Sequence, residues 1–230
     1  PVEVTGQVRW FKRPTPGNTY LTSLDPAMGT GGDYAAIQVF ELPSFEQVAE
    51  WHHNTTPMNQ QVRILQQINK HIHDAIMEKD TTASPQIFYS MENNTIGEAA
   101  LLRVMDIGEE NIQGMFLSEP IRKGHRRKFR RGFNTTAKHK IDACTKFKEL
   151  VENGKMKINS QLLISELKDF VASGMSYKAK AGQHDDLVSA CLLMTRMMKV
   201  LADFDPKIFE KWTDRTSELK PMPVFGSFYG

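Results

Sequence analysis

The chain has 230 residues, 40% hydrophobic and 24% charged, with a formal net charge of +2 and two cysteines. That composition excludes collagen-like, coiled-coil and wholly disordered chains, and the length suffices to bury a core without disulfide or metal staples. There is no run of 18 apolar residues and no charged-then-apolar opening, so neither a membrane span nor a secretory signal is expected. Cys144 and Cys191 stand alone, which points to a reducing, cytoplasmic setting.

In chain order, residues 1–18 carry Pro14, Pro16 and Gly17 and read as a leader or linker from a preceding domain. Tyr20 to Asp25 reads as a strand ending in an acid, and Gly29, Gly31 and Gly32 as a turn. Tyr34 to Leu42 and Phe45 to His53 complete an antiparallel meander. The glycine turn leads into a strand, so it is not a phosphate loop, which opens a helix. From Pro57 the apolar period lengthens. Met58, Val62, Leu65, Ile68, Ile72 and Ile76 mark one face of a helix, with Thr56 as its expected cap. Ile87 to Glu92 is a strand that again ends in an acid, Asn94 caps a helix from Thr95 to about Met105, and Met115 to Ser118 is a short strand.

Residues 120–148 then hold eleven Lys/Arg against one acid, Asp142, a net of +10 that leaves −8 on the rest of the chain. The densest part is Arg122, Lys123, Arg126, Arg127, Lys128, Arg130 and Arg131, with Phe129 and Phe133 interleaved. Such a strip attracts polyanions, because neutralising phosphates releases condensed counterions. Beyond it, Ala137 to Val151 is helical and Met156 to Ile158 a strand. Ser160 caps a helix to about Val171, Gly174 to Gly182 is a hairpin or loop carrying Lys178 and Lys180, and Asp185 to Ala202 is a core helix. Residues 217–230 read as a tail. The order predicts an α/β domain over residues 19–216: a mixed sheet, antiparallel meander then parallel strands, flanked by helices on both faces.

The acids sit where chemistry is usually placed. Asp25 and Glu92 end strands that would neighbour each other in one sheet, and Asp185 and Asp186 open the last long helix. Converging carboxylates repel, and a divalent ion offsets that repulsion. Oxygen-only ligands favour Mg2+ or Mn2+ over zinc, and two such ions would clamp an in-line phosphoryl displacement. Taken singly, each acid has a plainer reading as a turn former or a helix-dipole partner. Other constellations fail: His71 and His73 are two apart on a helix and face different ways.

Ser23-Leu24-Asp25-Pro26 with Gly29-Thr30-Gly31-Gly32-Asp33-Tyr34, then Tyr89-Ser90-Met91-Glu92-Asn93-Asn94, then Gly182-Gln183-His184-Asp185-Asp186-Leu187-Val188 form a set in fixed order. This set resembles the C-terminal nuclease domain of tailed-bacteriophage large terminase subunits, the myovirus type most nearly, over roughly residues 19–203. The resemblance implies a ribonuclease H-like fold and a two-metal endonuclease that cuts concatemeric double-stranded viral DNA during packaging. It implies Asp25, Glu92 and Asp186 as metal ligands and catalytic acids, Asp185 as a neighbouring metal-site acid, and Asp33 and His184 as groups supporting the ligands. Met28 stands where some relatives carry a further acid.

The resemblance further implies partners: an N-terminal ATPase motor domain, a portal and procapsid, and a small terminase subunit, all met in the host cytoplasm. No Gly-x-x-x-x-Gly-Lys-Ser/Thr occurs in this chain, so it is read as the nuclease half, without ATPase activity. The basic strip and Lys178 and Lys180 are expected to line a DNA groove with little sequence preference. A resolvase-like nuclease of the same fold and a non-catalytic DNA-binding or capsid-docking module remain the alternative readings.

Overall fold

Period-two alternation through the strand Thr19–Asp25 organises the molecule, which is described by a computed structural model over residues 1–120, 131–174 and 176–204. Tyr20 and Leu24 point to one face of the sheet, and Leu21 and Ser23 to the other. Strands β1 (Glu3–Thr5), β2 (Val8–Trp10), β3 (Thr19–Asp25), β4 (Ala35–Leu42), β5 (Glu46–His53), β6 (Gln86–Met91) and β7 (Met115–Phe116) form one sheet in the order β1-β2-β5-β4-β3-β6-β7. The pairs from β1 through to β3 are antiparallel, whereas β3–β6 and β6–β7 are parallel, the mixed sheet expected.

Helices cover both faces. On one, α1 (Met58–Lys79) packs Val62, Leu65, Ile68, Ile72 and Ile76 on Tyr20, Leu24, Ile37 and Trp51, and α2 (Thr95–Ile107) adds Ala100, Leu101 and Val104. On the other, α5 (Asp186–Phe204) lies on Leu21, Ala36 and Phe40, with α3 (Ala137–Glu152) and α4 (Gln161–Asp169) packed around it. Two large apolar faces buried on one sheet account for a chain of this size folding without a disulfide.

Several expectations are corrected. Residues 1–18, read as a leader, contain β1 and β2, and Trp10 is 2% exposed. Their charges have work inside the fold: Arg9 Nη2 lies 2.7 Å from Glu50 Oε1, and Lys12 pairs with Glu41, both acids being buried in the sheet. Thr56 does not cap α1; its hydroxyl is hydrogen-bonded to His53 Nδ1 at 2.6 Å, and Pro57 stands at the cap position. Lys157 makes a single parallel bridge to Glu46 where Met156 to Ile158 was expected as a strand. The helix capped by Ser160 stops at Asp169, because Phe170–Ser173 (β8) pairs with Ser176–Ala179 (β9) as a separate hairpin. Residues 217–230, expected as a tail, lie outside the described residues. Among the described residues no helix is long and apolar enough to cross a membrane.

Candidate active site

Strand parity and register place the first two acids. Odd-numbered positions of β3 face α5, as Ser23 shows by donating its hydroxyl to the Ala190 carbonyl at 2.7 Å, so Asp25 lies on that face. In β6, Tyr89 and Met91 belong to the α1 face, which leaves Ser90 and Glu92 on the α5 face. β3 and β6 are parallel with Leu24 beside Met91, and the Glu92 N–H bonds the Leu24 carbonyl at 3.3 Å. Asp25 and Glu92 therefore end adjacent strands at one level and on one face.

The chain holds each acid from behind. Beyond Asp25, the buried Gln61 of α1 donates to the carbonyls of Ala27 at 2.7 Å and Thr56 at 2.8 Å, and accepts from the Ala27 N–H at 3.3 Å. Beyond Glu92, Asn94 caps α2 by accepting from the Gly97 N–H at 2.7 Å, and donates to Glu92 Oε2 at 3.3 Å. Gly97 sits against the Glu92 main chain with no room for a Cβ.

Asp185 and Asp186 stand at the start of α5 and differ in how they are engaged. One Asp185 oxygen accepts from the Ala179 N–H at 3.3 Å and lies 3.6 Å from Lys140 Nζ. Asp186 Oδ2 is buried with no hydrogen-bond partner, with His184 Nδ1 at 3.5 Å. Burial pushes Asp186 up to about 6, with Asp185 and Asp33 adding to the rise while His184 and the Tyr34 amide oppose it. Burial, then Glu92 and Asp186, hold Asp25 well above the usual carboxylate range.

Asp25 and Glu92 line a cleft of about 90 Å³ with Thr135, Lys140, Ser189 and Arg196. A larger cavity of about 580 Å³ between α3 and α5 contains none of the four candidate acids, so volume alone does not locate the site. The chemistry of the acids suits a hard divalent cation: carboxylate oxygens only, Asp25 and Glu92 at the ends of adjacent strands, and an unpartnered buried oxygen on Asp186. Among the described residues no three acid, imidazole or thiol groups are already gathered as ligands of one ion, so the α5 acids act on the Asp25–Glu92 pair through charge rather than contact.

The remaining sequence candidates divide. His184 is close to Asp186, and Asp33 is exposed but near enough to raise it. Lys178 is exposed on β9, Lys180 Nζ is 2.9 Å from Asp169, and Arg131 pairs with Glu109 and lies 5.2 Å over the Phe116 ring. Arg122, Lys123, Arg126, Arg127, Lys128 and Arg130 lie outside the described residues. The described residues on either side of that strip are held near Glu92: Leu117 N–H bonds the Tyr89 carbonyl, Glu119 N–H bonds the Gly132 carbonyl, and Phe133 bridges to Glu92.

Two site residues escaped the sequence reading. Lys140 has the spacing of an ordinary solvated position on α3, and only the docking of α3 on α5 brings it to the cleft. Glu166 on α4 is the other; its carboxylate accepts from the Val188 N–H at 3.1 Å. Burial pushes Glu166 up to about 8, with Asp186 and Asp185 adding to the rise against the Val188 and Leu187 amides. No motif marks either residue.

The fold matches known proteins. The structure of the large terminase nuclease from thermophilic phage G20c with bound magnesium superposes with a TM-score of 0.62 at 16% identity, covering 84% of this chain and 89% of that one. The Thermus phage P74-26 large terminase nuclease domain gives 0.59 at 16%, covering 84% and 86%. The human cytomegalovirus terminase nuclease domain, manganese-soaked with inhibitor bound, gives 0.51 at 14%, covering 78% and 82%. The family model of the terminase RNaseH-like domain matches residues 22–197, a span that begins in β3, ends in α5 and encloses all four acids. The chain belongs to the terminase RNaseH-like domain family.

Proposed function

We propose that this domain is a divalent-metal-dependent endonuclease that cleaves concatemeric double-stranded viral DNA during packaging, with low sequence preference. The observation that carries this reading is the Asp25–Glu92 pair, two carboxyl groups on one face at the ends of adjacent parallel strands, with the charges of Glu92 and Asp186 both acting on Asp25. Magnesium, cobalt and zinc are named as bound in the G20c nuclease structures, and manganese was soaked into the cytomegalovirus domain.

Asp25, Glu92 and Asp186 would hold the metal, Mg2+ or Mn2+. The unpartnered Asp186 Oδ2 favours Asp186 over Asp185, whose carboxylate already engages the Ala179 amide and Lys140. When bound, a pair of such ions supplies Lewis-acid activation of water and offsets charge on the departing oxygen of the phosphodiester. The carboxylates orient that chemistry on one face of the sheet. Lys140, at the cleft wall, presents a cation to a phosphate. His184 and Asp33 tune Asp186 by their charges.

The basic strip from Arg122 to Arg131, with Lys178 and Lys180, would grip the backbone of double-stranded DNA, since phosphate contacts carry no base information. The described residues on either side of it are held near Glu92, which favours a groove leading to the cleft. In the packaging setting the domain would follow an ATPase motor and work in the host cytoplasm with the small terminase subunit, docked transiently on the portal of a procapsid.

Nicking and linearisation of supercoiled plasmid with magnesium, manganese or chelator, beside Asp186→Asn, tests the reading. Metal-dependent cutting that disappears in the variant is expected. Absence of cutting with either ion would turn the reading toward a DNA-binding module, and cutting unaffected by Asp186→Asn would move the third ligand to Asp185.

A further inference from the structure

Glu166 lies on α4 with its side chain only 11% exposed, far in sequence from β3 and β6. Oε2 accepts the main-chain N–H of Val188 at 3.1 Å, and the Leu187 N–H reaches the same carboxylate. Those amides belong to the first turn of α5, where N–H groups lack intrahelical partners. A side chain of one helix thus closes the opening turn of another, and that turn begins with Asp186.

The other side of Glu166 leads back to Asp186 by a different route. Oε1 lies 3.8 Å from Nε2 of His52, whose ring stacks on Tyr34 with centroids 4.2 Å apart. Tyr34 meets the His184 ring edge-on at 4.9 Å, and its main-chain amide opposes the rise that burial gives Asp186. His184 Nδ1 in turn stands 3.5 Å from Asp186 Oδ2. The residues leading into β4 and α5 therefore meet β5 and α4 near Asp186, and of these side chains it is Glu166 that bonds the main chain of the first α5 turn. α4 does not need Glu166 to form: Ser160 caps it by accepting the Leu163 N–H at 3.1 Å, and Leu163 is fully buried.

We propose that Glu166 is a positioning residue that fixes the first turn of α5 and so sets Asp186 toward the Asp25–Glu92 pair. The inference rests on the reading of Asp186 as a metal ligand given above. What matters in this role is an acceptor of the right length, so a neutral amide in the same place serves as well as a carboxylate.

Calorimetric titration of Mn2+ into the chain tests it, comparing the parent with Glu166→Gln, Glu166→Ala, Leu163→Val and Asp186→Asn, with melting temperatures measured beside each. Glu166→Ala is expected to weaken Mn2+ binding by about ten- to a hundredfold, and Glu166→Gln by less than about threefold. The metal concentration giving half-maximal plasmid nicking should move by the same factors. Leu163→Val should lower the melting temperature while leaving Mn2+ affinity in place.

Unchanged affinity in Glu166→Ala, or an equal loss in Leu163→Val, would overturn the proposal and leave the metal site standing. Should Glu166→Ala fail to fold, Glu166→Asp replaces it. Its carboxylate is one methylene short of the two amides, and an affinity equal to that of Glu166→Gln would overturn the proposal. A parent chain whose Mn2+ binding is untouched by Asp186→Asn would overturn the metal-site reading itself, and the role of Glu166 with it.

Discussion

Gly97, in the first turn of α2, presses directly on the main chain of Glu92, so that a methyl group there would overlap the Glu92 carbonyl oxygen. The contact lets Asn94 cap the helix and reach Glu92 Oε2 together. Gly97→Ala must push the helix start away from the strand end. Overpacking of this kind costs about 1–3 kcal/mol. We expect a lower melting temperature and, because Glu92 moves with the helix, a larger fractional loss of metal-dependent nicking. Nicking unchanged beside an intact melting temperature would show that the turn absorbs the methyl group.

Asp25→Asn is expected to abolish cleavage and yet stabilise the metal-free domain. Burial and the neighbouring Glu92 and Asp186 hold Asp25 well above the usual carboxylate range, so its ionised form is a source of strain in the apo fold. Removing the charge should raise the melting temperature in chelator by about 2–4 °C for each kcal/mol relieved, while removing the further rise that Mn2+ gives the parent. A fall in chelator would mean that the Asp25 charge has a stabilising partner.

The same acids set a pH dependence. Asp186 is raised to about 6 in the fold from an ordinary value of 3.8. Below about pH 4 it is protonated folded and unfolded and costs nothing; above its folded value it is ionised in both and its full penalty is felt. Metal-free stability therefore falls as pH rises from about 4 to 6, and Asp25 and Glu166, both raised, extend the fall upward. Metal binding requires the deprotonated acids, so Mn2+ affinity rises over the same window. Melting curves with and without Mn2+ at several pH values should show a metal-induced shift that grows with pH. A constant shift would remove these acids from the site.

Arg9 is the counter-charge of a fully buried acid. Glu50 accepts from Ser160 Oγ at 2.5 Å and from Gln38 Nε2 at 3.3 Å, but Arg9 is its cation, at 2.7 Å. Arg9→Met would leave a buried carboxylate unpaired, a loss of about 3 kcal/mol, at the low end because Arg9 is 30% exposed. Urea denaturation measures it, and Glu50→Gln added to Arg9→Met should recover much of the loss. A neutral Arg9→Met would show that the hydrogen bonds from Ser160 and Gln38 suffice to hold Glu50.

The sequence by itself determined the local elements and the order of the acids. Alternation marked β3 to β6, the three-and-four apolar spacing marked α1, and Asn94 and Ser160 cap the helices read from them. Asp25 and Glu92 were legible because each ends a strand, and parallel pairing of neighbours levels their ends. Only the tertiary structure decided what depends on partners far apart in the chain. Arg9 and Glu50, Gln61 and Ala27, and Glu166 and Val188 are separated by dozens of positions or by a change of element. In sequence Arg9, Glu50, Gln61 and Glu166 each read as a solvated polar residue, because local periodicity says which face of a helix or strand a residue occupies but not what is packed against that face. The different engagement of Asp185 and Asp186 belongs to the same class. Adjacent residues at a helix start have the same local chemistry, and only the docking of β9 and α3 engages one of them and leaves the other's oxygen free.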